Sequence, residues 1–208
     1  MSLVIAIDGP AAAGKGTLAR RLAAELGLRY LDTGLLYRAV GRLTLAAGAN
    51  PSDPIAAEAA AAKLCTEDLS RTDLRGPQAD AASSAVARHP GVRRLLLDFQ
   101  RSFPGEVGAV LDGRDIGTVV FPEAQVKLFV TADLQARARR RWQELGGAVP
   151  LDTVEAEMRA RDERDSQRGV APMRTAEDAR ILDTTELSPD AAFAAATAII
   201  RQYVTAKT

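Results

Sequence analysis

Apolar and polar positions fall along this chain in blocks of two kinds. Leu3–Ile7 is a short, nearly continuous apolar run that suits a strand buried on both faces of a parallel sheet; Leu28–Leu31 reads as a second short strand, Ala109–Leu111 and Val126–Val130 as buried strands, and Ile181–Leu182 as a short last one. Between them lie longer segments with apolar residues three and four apart, the spacing of helices. The first helix is expected from about Thr17 to Leu26, with Leu18, Leu22 and Leu26 on one face and Gly27 to end it. Another runs from Leu35 to about Ala47. Asp53 and Pro54 then suit the cap and first turn of an Ala-rich helix reaching about Leu64. Residues 77–88 suit a further helix, and Pro90 opens the next, whose Val92, Leu95, Leu96, Phe99 and Phe103 form a stripe expected to face the core. Helices are also expected over about Asp133–Leu145 and Asp152–Gln167, and after Ser188–Pro189, where Phe193, Ile199, Ile200 and Tyr203 would be buried. Strands alternating with helices predict an α/β fold, a parallel sheet wrapped on both faces.

Composition narrows this picture only a little. The 208 residues suit one domain, 1–208, with room for small inserted lids. Lys and Arg total 27, as do Asp and Glu, so net charge gives no reason to expect nucleic acid or an anionic membrane as partner. The single Cys65 excludes an internal disulfide framework, and the single His89 argues against a His-based metal site or triad. The N-terminus lacks the features of a signal peptide and no apolar run reaches membrane-spanning length, so a cytoplasmic protein is expected.

Candidate chemistry begins where the first strand ends. Gly9, Pro10, Ala11, Ala12, Ala13, Gly14, Lys15, Gly16 and Thr17 carry the spacing GxxxxGK of a phosphate-binding loop, between a strand and a helix. The glycines let successive backbone N–H groups turn inward, the helix start adds its positive end, and Lys15 adds a compact charge near the outer phosphates. The residue after the lysine is Gly16, with Thr17 following. This GKGT ending resembles nucleoside monophosphate kinases, in which a second nucleotide brings further phosphates.

Three further stretches stand out. In LDTGLLYR, Thr33 opens a helix and Tyr37 and Arg38 sit one turn in, where an arginine can receive a second phosphate. An amphipathic helix start with a surface arginine fits that stretch equally well. In VLDGRDIGTVVFP, Asp112 lies at a strand end, a position suited to orienting magnesium, indirectly through water, and Arg114 and Asp115 follow at the ligand-binding edge of such sheets. In RARDERDSQR, a helix would put Arg161, Asp165 and Arg168 on one face, and a solvated lattice of ion pairs would read the same way. The arginines Arg137, Arg139, Arg140 and Arg141 share that ambiguity, but Gly146, Gly147 and Pro150 between the two helices suggest a mobile lid over 137–168.

Taken in order, IDGPAAAGKGT, LDTGLLYR, DGRDIGTVVFP and RDERDSQRGVAP resemble the bacterial cytidylate kinases over most of the chain. The resemblance implies a five-stranded parallel sheet with helices on both faces, an acceptor-binding insert over 49–103 and a helical lid. It implies transfer of the ATP γ-phosphate to CMP or dCMP with Mg²⁺. The partners expected are the small-molecule nucleotides ATP, CMP and dCMP, with a monomer as the expected state. Carried over by motif position, Lys15 and the residues Gly9 to Thr17 would hold ATP, with Arg140 and Arg141 over its phosphates. Arg38, Arg114 and Arg168 would hold the acceptor phosphate, beside Thr33 and Tyr37. Ser84, Arg93 and Asp115 would read cytosine, and Arg161 with Asp165 the ribose. One departure is visible: Thr66 to Arg75 has no apolar alternation for the strands such inserts carry, so a shortened insert is expected. A kinase for UMP or AMP, or a P-loop module that binds ATP without transfer, are the competing readings.

Overall fold

A computed structural model of the chain describes residues 2–205; the ends of the expected domain, residue 1 and residues 206–208, lie outside the described residues. The elements are β1 (Val4–Asp8), α1 (Lys15–Leu26), β2 (Arg29–Asp32), α2 (Thr33–Ala46), α3 (Pro54–Ala61), a 3₁₀ turn (Thr66–Ser70), α4 (Pro77–Val86) and α5 (Pro90–Ser102). They continue with β3 (Ala109–Gly113), a π turn (Ile116–Val120), β4 (Val126–Thr131), α6 (Leu134–Glu144), α7 (Leu151–Ser166), β5 (Arg180–Asp183) and α8 (Pro189–Thr205).

The five strands form one sheet in the order β2-β3-β1-β4-β5. β1 pairs in parallel with β3 on one side and β4 on the other, placing Asp8 opposite Gly113 and Phe129. A central strand has neighbours on both edges and helices on both faces, which is why every residue of β1 is buried and why its sequence is apolar until Asp8. Ile5, Ile7, Val110, Leu128 and Val130 from the sheet pack with Leu18 and Leu22 of α1 and Ala196 and Ile200 of α8.

The chain divides into two compact units, residues 1–31 with 104–208, and residues 32–103. The second unit is built from α2 to α5 and the 3₁₀ turn, and among the described residues no strand lies between Thr33 and Phe103. Thr66–Arg75 therefore carries a single turn of helix in place of strands, the irregular stretch its polar sequence predicts.

Two apolar stripes differ from expectation. Leu26 is 38% exposed because α1 ends at Gly27 and its last turn runs past the core. Leu95 is 44% exposed, and the buried face of α5 instead carries Val92, Arg93, Leu96 and Gln100. Gln100 is accommodated because its amide donates to the Leu96 carbonyl at 3.0 Å, satisfying its donor within the helix. The turn at Ile116–Val120 has no counterpart in the sequence pattern.

Candidate active site

At the end of β1 the chain must leave the sheet between two strands. Gly9 does this with φ +141°, and a Cβ there would collide with the Val130 carbonyl, so no side chain is accommodated. The loop closes at Gly14, in the left-handed region at φ 85°, and α1 begins at Lys15. Lys15 is buried; its Nζ donates to the Pro10 carbonyl at 2.8 Å and lies 3.9 Å from Asp112 Oδ1. Burial pushes the ammonium down to about 7, with the nearby Arg114 charge adding to the effect and Asp112 and Asp8 opposing it. A buried cation with too little negative charge around it fits an anion such as a phosphate chain, which supplies what is missing.

Asp112 ends β3 and is itself buried, and its Oδ2 would stand 3.3 Å from a Cβ placed on Gly16. A carboxylate thus sits against the loop beside the lysine. Asp8, the last residue of β1, is also buried. Its two oxygens accept from the backbone N–H groups of Ile116 and Gly117, each at 2.7 Å. Burial pushes its carboxyl up to about 7 against the pull of those two hydrogen bonds.

A second cationic group gathers around Asp165 of α7. Arg114 Nε donates to one of its oxygens at 3.0 Å and Arg168 Nη2 to the other at 2.7 Å. Burial raises the Asp165 carboxyl, but Arg114, Arg168 and Arg161 outweigh this and hold it below the usual carboxylate range. Three arginines thus converge on one carboxylate at the sheet edge. The helical spacing read from RARDERDSQR puts Arg161 and Asp165 on one face of α7, but the helix ends at Ser166, so Arg168 reaches Asp165 from beyond its end and not from the helical face expected. Asp115, next to Arg114, is buried as well.

The arginines of α6 divide differently. Arg140 donates to the Thr184 hydroxyl at 3.1 Å and to the carbonyls of Thr184 and Thr185 at 2.5 and 3.3 Å, so its guanidinium is held by the loop after β5. Arg141 pairs with Glu144 at 3.1 Å on the helix surface. Arg137 is the one that reaches the phosphate loop. It is buried, donates to the Ala132 and Ala11 carbonyls at 2.8 and 3.3 Å, and pairs with Asp162 of α7 at 2.7 Å.

Within the unit of residues 32–103, Arg38 Nη2 donates to Asp32 Oδ2 at 2.9 Å, while its Nε is buried without a hydrogen-bond partner among the described residues. The Arg93 guanidinium lies 5.4 Å from the centre of the Tyr37 ring. Thr33 and Tyr37 are buried and Ser84 is half-buried on α4. An arginine with an unused buried donor suits a polar, anionic ligand.

The cytidylate kinase family model matches residues 5–202. The chain belongs to the cytidylate kinase family. It is similar to cytidylate kinases of Paramagnetospirillum magneticum, 62% identical over 96% of this chain and 98% of that one, and of Granulibacter bethesdensis, 60% identical over 97% and 98%. Two solved structures share the fold: a protein of Eubacterium ventriosum (TM-score 0.55, 15% identity, 98% of this chain and 99% of that one) and TT1252 of Thermus thermophilus (TM-score 0.51, 23% identity, 96% and 97%). For a cytidylate kinase family member, two groups went unread in the sequence. Asp8 carries no local signal, because its partners lie 108 and 109 residues away. Arg137 looked like one of four similar arginines, and only the packing of α6 on α7 distinguishes it.

Proposed function

We infer that this chain transfers the γ-phosphate of ATP to CMP or dCMP, giving ADP and CDP or dCDP. The observation that carries the reading is the pair of cationic groups in one unit, Lys15 at the phosphate loop and the arginines around Asp165. A module that only bound ATP would have use for the first and none for the second. Two polyphosphates must be brought together in line, and that task calls for positive charge and backbone N–H groups more than for a dedicated base.

On this reading Gly9 to Thr17 hold the donor phosphates, and the ammonium of Lys15, returned to full charge by them, neutralises charge as the phosphoryl group moves. Arg114 and Arg168 hold the acceptor phosphate, as does Arg38. Arg161 and Asp165 take the ribose. Asp115, Arg93 and Ser84 read the base: a carboxylate accepts from the 4-amino group of cytosine, where uracil presents an oxygen. Asp112 fits a Mg²⁺ held through water, and the ion would supply positive charge that draws the outer phosphates together. Arg140 and Arg141 act over the ATP phosphates once they leave Thr184, Thr185 and Glu144. A cytoplasmic monomer acting on free nucleotides completes the reading.

A coupled ADP-release assay over CMP, dCMP, UMP, AMP and GMP tests it. Turnover on CMP or dCMP at least about tenfold above the others is expected, the margin of one hydrogen bond in base recognition. Faster turnover on UMP or AMP would assign another acceptor, and no acceptor-dependent turnover would leave an ATP-binding module.

A further inference from the structure

The π turn after β3 begins immediately beyond Arg114 and Asp115, and the side chain of Asp115 does not cap it. The N–H groups at the start of a helical turn have no partners within it. Here Asp8 supplies them from another strand: its two carboxylate oxygens accept the Ile116 and Gly117 N–H groups at 2.7 Å each. The carbonyl of Asp115 accepts from Val119 and Val120 at 2.9 and 3.2 Å, so Asp115 is bound into the same turn from its far side. Gly117 is wedged between Asp8 and Lys127. A Cβ there would stand 3.4 Å from Asp8 Oδ2 and 3.1 Å from Lys127 Cδ. Lys127 is pinned in turn by the Pro122 carbonyl and by Asp178, at 2.5 and 2.9 Å. The turn is thus clamped between a carboxylate on β1 and a tethered lysine on β4, and little freedom is left to the two residues that lead into it.

We propose that Asp8 is a positioning residue for the acceptor: by capping the π turn it fixes the backbone from which Arg114 and Asp115 project. The proposal rests on the acceptor roles assigned above to those two side chains. Both oxygens of Asp8 are taken up by the turn, so its role runs through the backbone it holds. Its cost is a buried carboxylate at the centre of the sheet edge, where an apolar residue would pack with no such penalty.

The isosteric Asp8→Asn tests this, because the amide keeps one acceptor but turns an NH₂ toward the other backbone N–H. The expected result is a KM for CMP raised about tenfold, as Arg114 and Asp115 lose the equivalent of about one hydrogen bond to the acceptor when the turn beneath them shifts. The CMP-to-UMP ratio of kcat/KM should narrow several-fold, with the KM for ATP within about twofold of wild type. A role confined to stability would lower the folded or active fraction and leave both KM values and the ratio unchanged, and that result overturns the proposal. So does a rise in the KM for ATP alone, which would make Asp8 a support of the phosphate loop. If Asp8→Asn does not fold, Asp8→Ser, smaller and uncharged with one accepting hydroxyl, is scored in the same way. Asp115→Asn measured alongside separates the two claims. An unchanged ratio in Asp115→Asn counts against the acceptor reading; a changed ratio there, with KM and ratio both unmoved in Asp8→Asn, counts against the positioning role.

Discussion

Lys15 and Asp8 are two residues apart from ordinary chemistry in opposite directions. Burial holds Lys15 at about 7 against the usual 10.5, and Asp8 at about 7 against 3.8. For Lys15 the folded value is the lower one. Its contribution to stability is complete above the unfolded value and is lost as pH falls through about 7. For Asp8 the folded value is the higher, so its contribution is complete below the unfolded value and is lost as pH rises through about 7. Both groups therefore cost the nucleotide-free protein stability near neutral pH. Lys15→Met should remove one of those costs, raising the melting temperature without nucleotide by about 3 °C at pH 7 and by less at about pH 10. The same variant should lose the stabilisation that ATP gives wild type, and its kcat should fall roughly a thousandfold. Thermal melts at the two pH values with and without ATP, followed by steady-state kinetics, check all three. A variant that melts lower without nucleotide, or turns over within about threefold of wild type, would remove Lys15 from the site.

Among the elements, the helical pair α6 and α7 carries a small core of its own. Ala138, Val154 and Met158 are buried together, with Leu134, Leu145, Val149 and Leu151 packed around them and Ala11 and Ala12 of the phosphate loop against them. Arg137 joins the pair to the loop carbonyl of Ala11, and Arg140 joins it to the loop after β5. Arg140→Ala should therefore loosen residues 137–168, and limited proteolysis without nucleotide should cut that segment several-fold faster than in wild type. A bisubstrate analogue should protect the same segment in wild type. Equal cleavage in all these cases would make the pair a static ornament of the fold. Helices and strands of this chain were legible because apolar spacing records which face is buried. The exceptions have a physical cause. Leu26 and Leu95 continue an apolar stripe past the end or the edge of the surface it covers, and Arg93 and Gln100 are buried because each finds a partner: the Ala87 carbonyl at 3.5 Å and the Leu96 carbonyl. Hydrophobic periodicity carries no term for either. The Ile116–Val120 turn was illegible for a related reason, since the carboxylate that caps it comes from the other end of the chain.

For the whole molecule, the order β2-β3-β1-β4-β5 puts the ends of β1 and β3 side by side, and with them Lys15, Asp112, Arg114 and Asp115. Motifs separated by a hundred residues were readable as one site because each carries its own local signature of glycine, arginine or carboxylate. The way they divide their work was not, since that depends on which arginine is bound by which carbonyl. A site whose base is read by a carboxylate should favour CMP over UMP by about a hundredfold, less than the ceiling for such recognition because a water can bridge the mismatch. Asp115→Asn should narrow that margin, as competition between the two acceptors would show. The most direct test of phosphoryl transfer follows the phosphorus itself. With ATP labelled on the γ-phosphate, the label should move into CDP in a CMP-dependent reaction, one label for each ADP formed, and little should appear as inorganic phosphate. Label that accumulates as inorganic phosphate, or that stays in ATP whichever nucleotide is added, would contradict it.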